Sequence, residues 1–175
     1  MPLSYIHYSH TQHRHYAAQI AKIYHQAVHA QAGGFYSQQQ CDAWSRAPRS
    51  TKFWQLRLKA AAVWLALDNA GQCIGFIQVE TRFKDRGYVS CLYVEPKHQR
   101  RGIAAALIEQ AIQWARVQQW SRLTTDASLQ SHTIFSRCGF IKRYNSYQEK
   151  CGVQFPGMLM QYNLMPTTAT LKENA

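Results

Sequence analysis

The sequence predicts a single mixed α/β domain in which helices flank one central sheet. Three observations lead to this prediction: a length of 175 residues, a hydrophobic fraction of 46%, and apolar patterns of strand and helix type that alternate along the middle of the chain. The aromatic content (five Trp, ten Tyr and seven Phe) and the low Gly and Pro content exclude disordered, collagenous and low-complexity proteins. We expect the domain to span residues 1–166 and residues 167–175 to form a flexible tail.

The first half of the chain is predicted to contain both strands and helices. In order, these are a strand at 3–9, helices at 14–30, 38–44 and 52–59, and strands at 62–68 and 73–82. The first strand alternates and is rich in aromatic residues, and the first helix carries apolar residues at helical spacing until Gly33 and Gly34 break it. Ser37 is a favourable N-cap for the second helix, which Pro48 limits. The turn at 69–71 joins the last two strands.

The second half repeats this alternation. Its predicted elements are a strand at 88–94, a helix at 102–118, a strand at 122–127, a short helix at 132–138, and strands at 140–148 and 158–164. Gly87 opens the first of these strands, and Glu95 with Pro96 closes it. The long helix has one apolar side that includes Leu107 and Ala111. Hairpins on either side of an alternating middle are typical of a mixed α/β sheet.

The chain is strongly basic. Twenty Lys and Arg against nine Asp and Glu give a net charge of +11 and a pI of about 9.7. Such an excess favours a polyanionic partner or a phosphate-rich cofactor, although surface charge for solubility would give the same composition. The tightest basic cluster consists of Arg82, Lys84, Arg86, Lys97, Arg100 and Arg101, against only Asp85 and Glu95.

Several classes of protein are disfavoured by what the sequence lacks. The longest uncharged apolar run, 60–67, is too short to cross a membrane, and the first residues show no signal-peptide pattern, so we expect a cytoplasmic protein without a membrane partner. Five scattered cysteines without a C-x-x-C pair are predicted to be reduced, mostly buried thiols. His25 and His29 have a metal-ligand spacing, but no Glu or Cys accompanies them, and no metal site is predicted.

One segment carries a chemical signature: a strand, a basic turn and a glycine at the start of the long helix. Residues 95–104 combine Lys97, Arg100 and Arg101 with Gly102. A helix start presents unpaired backbone N–H groups and a positive dipole end to an anion, and a glycine lets a phosphate approach the backbone. The segment is neither a Walker loop nor a Rossmann fingerprint, because the Gly-Lys-Ser/Thr and the two other glycines are missing. It predicts a pyrophosphate site of another type.

Gln99-x-x-Gly102-x-Ala104 resembles the Q/R-x-x-G-x-G/A motif of the GNAT N-acetyltransferase superfamily. The resemblance extends to the strand, loop and helix in LYVEPKHQRRGIAAALIEQA and to the later helix that ends in Gly-Phe in SHTIFSRCGF, and the order of elements is similar over nearly the whole chain. It implies a mostly antiparallel, twisted sheet that is splayed at the strand 88–94, with helices on both faces. It also implies acetyl-CoA as the cofactor and transfer of its acetyl group to a primary amine by direct attack on the thioester.

The resemblance assigns cofactor binding to two neighbouring segments. The pantetheine would lie on free backbone groups of the splayed strand, where one N–H would polarise the thioester carbonyl, and the pyrophosphate would lie on the loop and the helix start. The residues implied are Leu92, Tyr93, Val94, Gln99, Arg100, Arg101, Gly102, Ile103, Ala104 and Ala105.

The sequence departs from the family where a proton donor is expected. Many members have a Tyr four residues before the Gly of the Gly-Phe pair, and here that position is Phe135, which cannot donate a proton. The alternative donors considered are Ser128, Ser136, Cys138 and Tyr147. Glu80 is a candidate general base, with an ordinary solvent-facing strand residue near Arg82 as the alternative. Asp126 is a second carboxylate, with either a catalytic or a structural role.

The acceptor is expected to be an amine on a small molecule, a peptide or a protein N-terminus. In the family, the second helix and the loop before it line the acceptor site, so Tyr36 and Trp44, and also Phe35, are candidate substrate-binding residues; core packing is the alternative for Trp44. A different function is a GNAT-fold module with weak or no catalysis that binds RNA, the ribosome or another polyanion through its basic surface. Either protein is expected to be a monomer or a homodimer.

Overall fold

A computed structural model of the chain describes residues 3–82 and 86–164. The strands are β1 (Ser4–His7), β2 (Ala61–Leu67), β3 (Cys73–Glu80), β4 (Val89–Val94), β5 (Arg122–Ser128), β6 (Ile141–Lys150) and β7 (Val153–Asn163). The helices are α1 (Ala17–His29), α2 (Gln38–Trp44), α3 (Thr51–Lys59), α4 (Ile103–Val117) and α5 (His132–Arg137). Lys84, Asp85 and the expected tail lie outside the described residues.

The strands form two antiparallel sheets, with the orders β1-β2-β3-β4 and β5-β7-β6. A parallel bridge between Tyr88 and Thr124 joins the sheets where β4 and β5 begin. There the backbone N–H of Thr124 donates to the carbonyl of Gly87 at 3.0 Å, and the hydroxyl of Thr125 donates to the carbonyl of Val89 at 3.0 Å. Beyond this point β4 pairs only with β3 among the described strands. The prediction of a mostly antiparallel sheet that splays at β4 is therefore confirmed. The prediction of one central sheet is wrong, because the strands form two sheets.

Helices cover both faces of the first sheet, as predicted. Strand alternation divides β2 between two apolar clusters: Ala62, Trp64 and Ala66 lie in the α4 cluster, while Val63 and Leu65 lie in the cluster formed with α1 and α3. All of β3 is buried. Since burial of apolar area stabilises by roughly 25 cal/mol per Å², this double-sided packing fixes β3 and the adjacent β4, which carries the candidate site.

The predicted elements are all present, and β7 differs most from its prediction. It begins at Val153, whereas the predicted start was 158. The prediction missed the first residues because Pro156 and Gly157 interrupt the strand pattern in the sequence. Pro156 pairs with β6 but has no partner on β5. Because proline has no backbone N–H, its place beyond the paired part of β5 means that no hydrogen bond between β7 and β5 is lost. A Cβ at Gly157 would lie 2.7 Å from the carbonyl oxygen of Ala127, so the close approach of β5 requires glycine there.

The five cysteines are free thiols: Cys41, Cys73 and Cys91 are buried, Cys138 is partly buried and Cys151 is exposed. No helix in the described ranges combines the length and apolarity that a membrane crossing needs.

Candidate functional site

A cleft of about 470 Å³ opens where β4 and β5 separate. Its walls come from β4, from the first three helices and the segments that join them, from α5 and the segment before it, and from parts of β5, β6 and β7. The cleft therefore brings together residues that lie far apart in the sequence.

The loop between β4 and α4, residues 95–102 and called here the anion loop, has the geometry of an anion-binding site. Gly102 caps α4 with φ of +80°, and the space that a Cβ would occupy there is open. The first intrahelical bond is donated by the amide of Ala106 to the carbonyl of Gly102, at 3.0 Å. The amides of Ile103, Ala104 and Ala105 therefore precede the first bond of the helix and have no acceptor within it. An anion could approach these groups without meeting a side chain at Gly102.

The side chains of the anion loop play different parts. The Gln99 amide donates to the carbonyl of Val94 at 3.1 Å and ties the loop to the end of β4. Arg100 adopts a left-handed conformation with φ of +60°, which is unusual for a residue with a side chain. Arg101 is exposed, whereas the Ile103 side chain is 1% exposed in the α4 cluster. A ligand could therefore contact Ile103 through its backbone but not through its side chain.

The three residues of β4 assigned to the pantetheine differ in the direction in which their backbone amides point. The amide of Glu95 donates to the carbonyl of Ile74 on β3 at 2.8 Å. Because backbone groups alternate along a strand, the amide of Tyr93 also points to β3, while those of Leu92 and Val94 point to the gap beside β4. The Tyr93 side chain stacks on Phe76 at 5.8 Å and forms part of the cleft wall.

Asp126 is the one carboxylate among the described residues that line the cleft. The phenol of Tyr88, at the start of β4, donates to its Oδ2 at 3.1 Å, and the Gln148 amide donates to its backbone carbonyl at 3.2 Å. Burial and the negative charge of Asp126 raise the pKa of Tyr88 above its ordinary value. Tyr88 therefore keeps its proton at neutral pH and holds the carboxylate in place.

Glu80 does not line the cleft and is not solvent-facing. It is 6% exposed, because β3 is covered on both faces, and this corrects the alternative of an ordinary surface strand residue. Its Oε1 accepts a hydrogen bond from the Gln78 amide at 2.9 Å and lies 3.6 Å from Nη2 of Arg57 on α3. Arg57 itself does line the cleft, so Glu80 reaches the site only through Arg57.

Phe135 lies in the cleft wall, 2% exposed, with its ring edge-on to Phe140 at 5.0 Å. Of the alternative donors, Ser128 also lines the cleft, while Ser136, Cys138 and Tyr147 are not among its lining residues. Tyr147 is 67% exposed on β6.

The two candidate substrate-binding residues, Tyr36 and Trp44, both line the cleft and also pack against Phe155 on β7. Their ring centroids lie 5.7 Å and 4.7 Å from that of Phe155. The Tyr36 phenol donates to the carbonyl of Pro156 at 3.4 Å and accepts from the amide of Leu129 at 3.1 Å. Trp44 is partly exposed, and Nζ of Lys150 lies 4.6 Å from its ring centroid. Phe35 is 53% exposed and is not among the lining residues.

His25 and His29 are engaged in the contact between α1 and the end of α2. A ring nitrogen of His25 lies 2.9 Å from the hydroxyl of Ser45, and Nε2 of His29 lies 2.8 Å from its carbonyl oxygen. Over the described ranges, no group of three or more His, Cys, Asp or Glu side chains is arranged to hold a metal ion.

The sequence reasoning missed several residues of the cleft. Tyr24, Arg57, Tyr88, Lys150 and Phe155 line it, but none belongs to a motif or a regular spacing with the anion loop. Burial raises the pKa of Tyr24 to about 12. Of the five, Tyr88 was the easiest to find from the sequence, because it is the first residue of the strand predicted at 88–94, which the family resemblance describes as splayed.

Comparison with known proteins matches this chain to one family. The sequence model described as the acetyltransferase (GNAT) domain matches residues 34–162. The chain is 34% identical over 144 residues to the uncharacterized N-acetyltransferase YafP of Escherichia coli, with 82% of this chain and 87% of YafP covered.

Solved structures agree in fold. The GCN5-related N-acetyltransferase of Rhodopseudomonas palustris superposes with a TM-score of 0.81 at 22% identity, covering 94% of this chain and 97% of that one. For yncA of Salmonella typhimurium, solved with its cofactor acetyl-CoA, the TM-score is 0.72 at 20% identity, with 98% of this chain and 99% of that chain covered.

Proposed function

Since this chain belongs to the GNAT acetyltransferase family, we propose that it transfers an acetyl group from acetyl-CoA to a primary amine. The observation that carries the proposal is the open left-handed glycine at the start of α4, with the amides of residues 103–105 beyond it, at the end of a strand that lines the cleft. Acetyl-CoA would supply a reactive thioester whose acetyl group the amine accepts.

The residues present fit such a cofactor. The amides at the start of α4 would bind the pyrophosphate, with Gly102 leaving room and Arg100 and Arg101 adding positive charge. The amides of Leu92 and Val94, which point away from β3, would bind the pantetheine arm and polarise the thioester carbonyl. Gln99 supports both segments, because its contact with Val94 fixes the loop to the strand.

We propose that Asp126 accepts the proton of the attacking amine. Its carboxylate lines the cleft, and the Tyr88 phenol bonds to Oδ2, which leaves Oδ1 for the amine. Positioning of the two reactants supplies much of the acceleration in such a reaction, up to about 7–11 kcal/mol in ideal cases. A base within reach adds about 10²- to 10⁴-fold. Glu80 is not used as a base here, because it is buried and does not line the cleft.

Two further expectations are kept as part of the proposal. Residues 1–166 are taken as a single catalytic domain. The five free thiols, three of them buried, support action in a reducing compartment such as the cytoplasm.

The experiment combines a binding assay and an activity assay. Acetyl-CoA at 100 times its Kd should stabilise the protein by about 2.7 kcal/mol, seen as a rise in Tm, whereas acetate at the same concentration should not. A panel of primary amines with thiol detection of released CoA then tests transfer. Stabilisation by an RNA oligomer but not by acetyl-CoA, with no CoA release from any amine, would instead support the nucleic-acid-binding function.

A further inference from the structure

The charges in the cleft are uneven. Among the described residues that line it, the cationic side chains are Arg49, Arg57 and Lys150, and the one carboxylate is Asp126. The Oδ2 atom of that carboxylate already accepts a hydrogen bond from Tyr88. A polycationic acceptor would need several exposed carboxylates, whereas this cleft offers mainly positive donors.

Arg57 is the best-fixed of the three cations. Its Nη2 atom lies 3.6 Å from Oε1 of Glu80 and 3.9 Å from Sγ of Cys91, and both of these groups are buried. Both contacts use Nη2, whereas Nε and Nη1 have no hydrogen-bond or ion-pair partner among the described residues, and Arg57 lines the cleft. Burial by itself lowers the pKa of Arg57, but the nearby Cys91 and Glu80 outweigh this and raise it, so the guanidinium is always charged.

Two more cations frame the same region. Nζ of Lys150 lies 4.6 Å from the ring centroid of Trp44, and the guanidinium carbon of Arg49 lies 5.5 Å from that of Phe53. Both rings belong to residues that line the cleft. The positive side chains are thereby held over aromatic surfaces at the edge of the pocket.

These cations lie on other segments of the chain than the anion loop, which is the segment proposed to bind the phosphates of the cofactor. The anion loop lies between β4 and α4, whereas Arg57 lies on α3, Arg49 lies before α3, and Lys150 ends β6. Glu80 is buried and is not part of the cleft wall, so a ligand in the cleft would meet the guanidinium of Arg57 and not the carboxylate.

We propose that the acceptor is a primary amine that also carries an oxyanion group, a carboxylate or a phosphonate, and that Arg57 binds this group. The inference rests on the proposed function and names the class of amine. A planar guanidinium matches two oxygens of such a group with two parallel N–H donors, which a lysine cannot do. Asp126 lines the same cleft, where it would receive the amine.

The test compares each acid with its uncharged partner. Wild-type protein is given glycine against glycinamide, glutamate against glutamine amide, in which both carboxyl groups are amidated, and aminomethylphosphonate against methylamine, with spermidine as a polycation. We expect kcat/KM at least tenfold higher for the acid of each pair, and little turnover of spermidine. The amine of an amino-acid amide is less basic than that of the acid, so deprotonation alone favours the amide. A preference for the acid therefore reports recognition.

Two variants of Arg57 and one control test whether Arg57 is the source of the preference for acids. In Arg57→Gln the acid preference should fall at least tenfold, and in Arg57→Lys it should fall partly, while the KM for acetyl-CoA changes less than twofold. The double variant Arg57→Gln/Glu80→Gln removes both charges of the buried pair and keeps the test valid if Arg57→Gln alone does not fold. Arg14→Gln, an exposed arginine bonded to Gln55 and not part of the cleft wall, should change neither quantity.

The outcomes separate this inference from the proposed function. Efficient transfer to amides, or an acid preference that survives in Arg57→Gln, overturns the inference and leaves acetyl transfer standing. A second readout needs no turnover: the Tm shift given by N-acetylglutamate should exceed that of N-acetylglutamine amide, and the excess should vanish in Arg57→Gln. Absence of CoA release from every amine counts against the proposed function, and an equal Tm shift for the two ligands counts against the inference.

Discussion

The candidate site has two ends that differ in what they are built from. At the start of α4 the candidate site consists of backbone amides shaped by one glycine at φ of +80°. At its other end, in the cleft, it consists of side chains such as Tyr36, Arg57 and Lys150, which come from separate parts of the chain. Backbone groups recognise what all reactions of a family share, because nearly any sequence can supply them. Side chains recognise what differs, because each can be exchanged without disturbing the strand and helix that position the shared part.

The largest effect should follow from closing the backbone end. In Gly102→Asp the new carboxylate occupies the open space at the helix start and repels an anion. Loss of two hydrogen bonds to a charged group costs at least about 3 kcal/mol, so kcat/KM for acetyl-CoA should fall by more than ~10²-fold. Kinetics with varied acetyl-CoA measures this, and circular dichroism checks the fold.

A matched control separates charge from backbone strain. Gly71→Asp introduces the same residue at φ of +73°, also with open space, in the turn between β2 and β3. Both variants should lose about 1–2 kcal/mol of stability from the left-handed backbone. Only Gly102→Asp should lose cofactor binding; equal kinetics in the two variants would place the pyrophosphate elsewhere.

Asp126→Asn should give the next largest effect. Asn can still accept the hydrogen bond from Tyr88 through its amide oxygen, but it cannot take a proton from the amine. We expect kcat to fall about 10²-fold with little change in either KM. An unchanged kcat would mean that the amine loses its proton directly to water.

The pH profile sharpens the same prediction. The rate of the wild-type protein should rise from pH 6 to about 8.5 as the amine deprotonates. Because burial and Asp126 raise the pKa of Tyr88, ionisation of this phenol should cause no decline below about pH 10. In Tyr88→Phe the pH profile should keep its shape, while kcat falls less than in Asp126→Asn. A decline in the rate of the wild-type protein near pH 8 would contradict the raised pKa of Tyr88.

The division between backbone groups and side chains also separates the part of the candidate site that the sequence predicted from the part that it did not. The anion loop was predicted because its residues are contiguous and the physics of a helix start fixes the offset of Gly102. The acceptor end was only partly predicted, through Tyr36 and Trp44, because tertiary packing rather than spacing brings Arg57 and Lys150 into one cleft. Glu80 shows the limit: its strand position was predicted, but its burial depends on helices packed on both faces of β3.

Glu80→Gln should have a moderate effect, confined to the acceptor end. Gln can keep a hydrogen bond with Gln78 but loses the ionic contact that orients Arg57. We expect the KM for the acceptor to rise about three- to tenfold, while kcat and the KM for acetyl-CoA change less than threefold. If Glu80 were the general base, kcat would instead fall about 10²-fold with the acceptor KM unchanged. Steady-state kinetics with each substrate varied in turn distinguishes the two results.

Phe135→Tyr should have the smallest effect on the rate. Phe135 is 2% exposed against Phe140, so a hydroxyl added there without a partner costs about 1–3 kcal/mol and lowers Tm by a few degrees. We expect kcat to stay within threefold of the wild type, because the proposed proton acceptor is Asp126 and its position is unchanged. Phe140→Tyr is the matched control, since this ring is 3% exposed in the same cluster but does not line the cleft. A tenfold rise in kcat in Phe135→Tyr alone would show that a proton donor is missing at this position, and a tenfold fall would show that the apolar ring itself acts on the bound substrates.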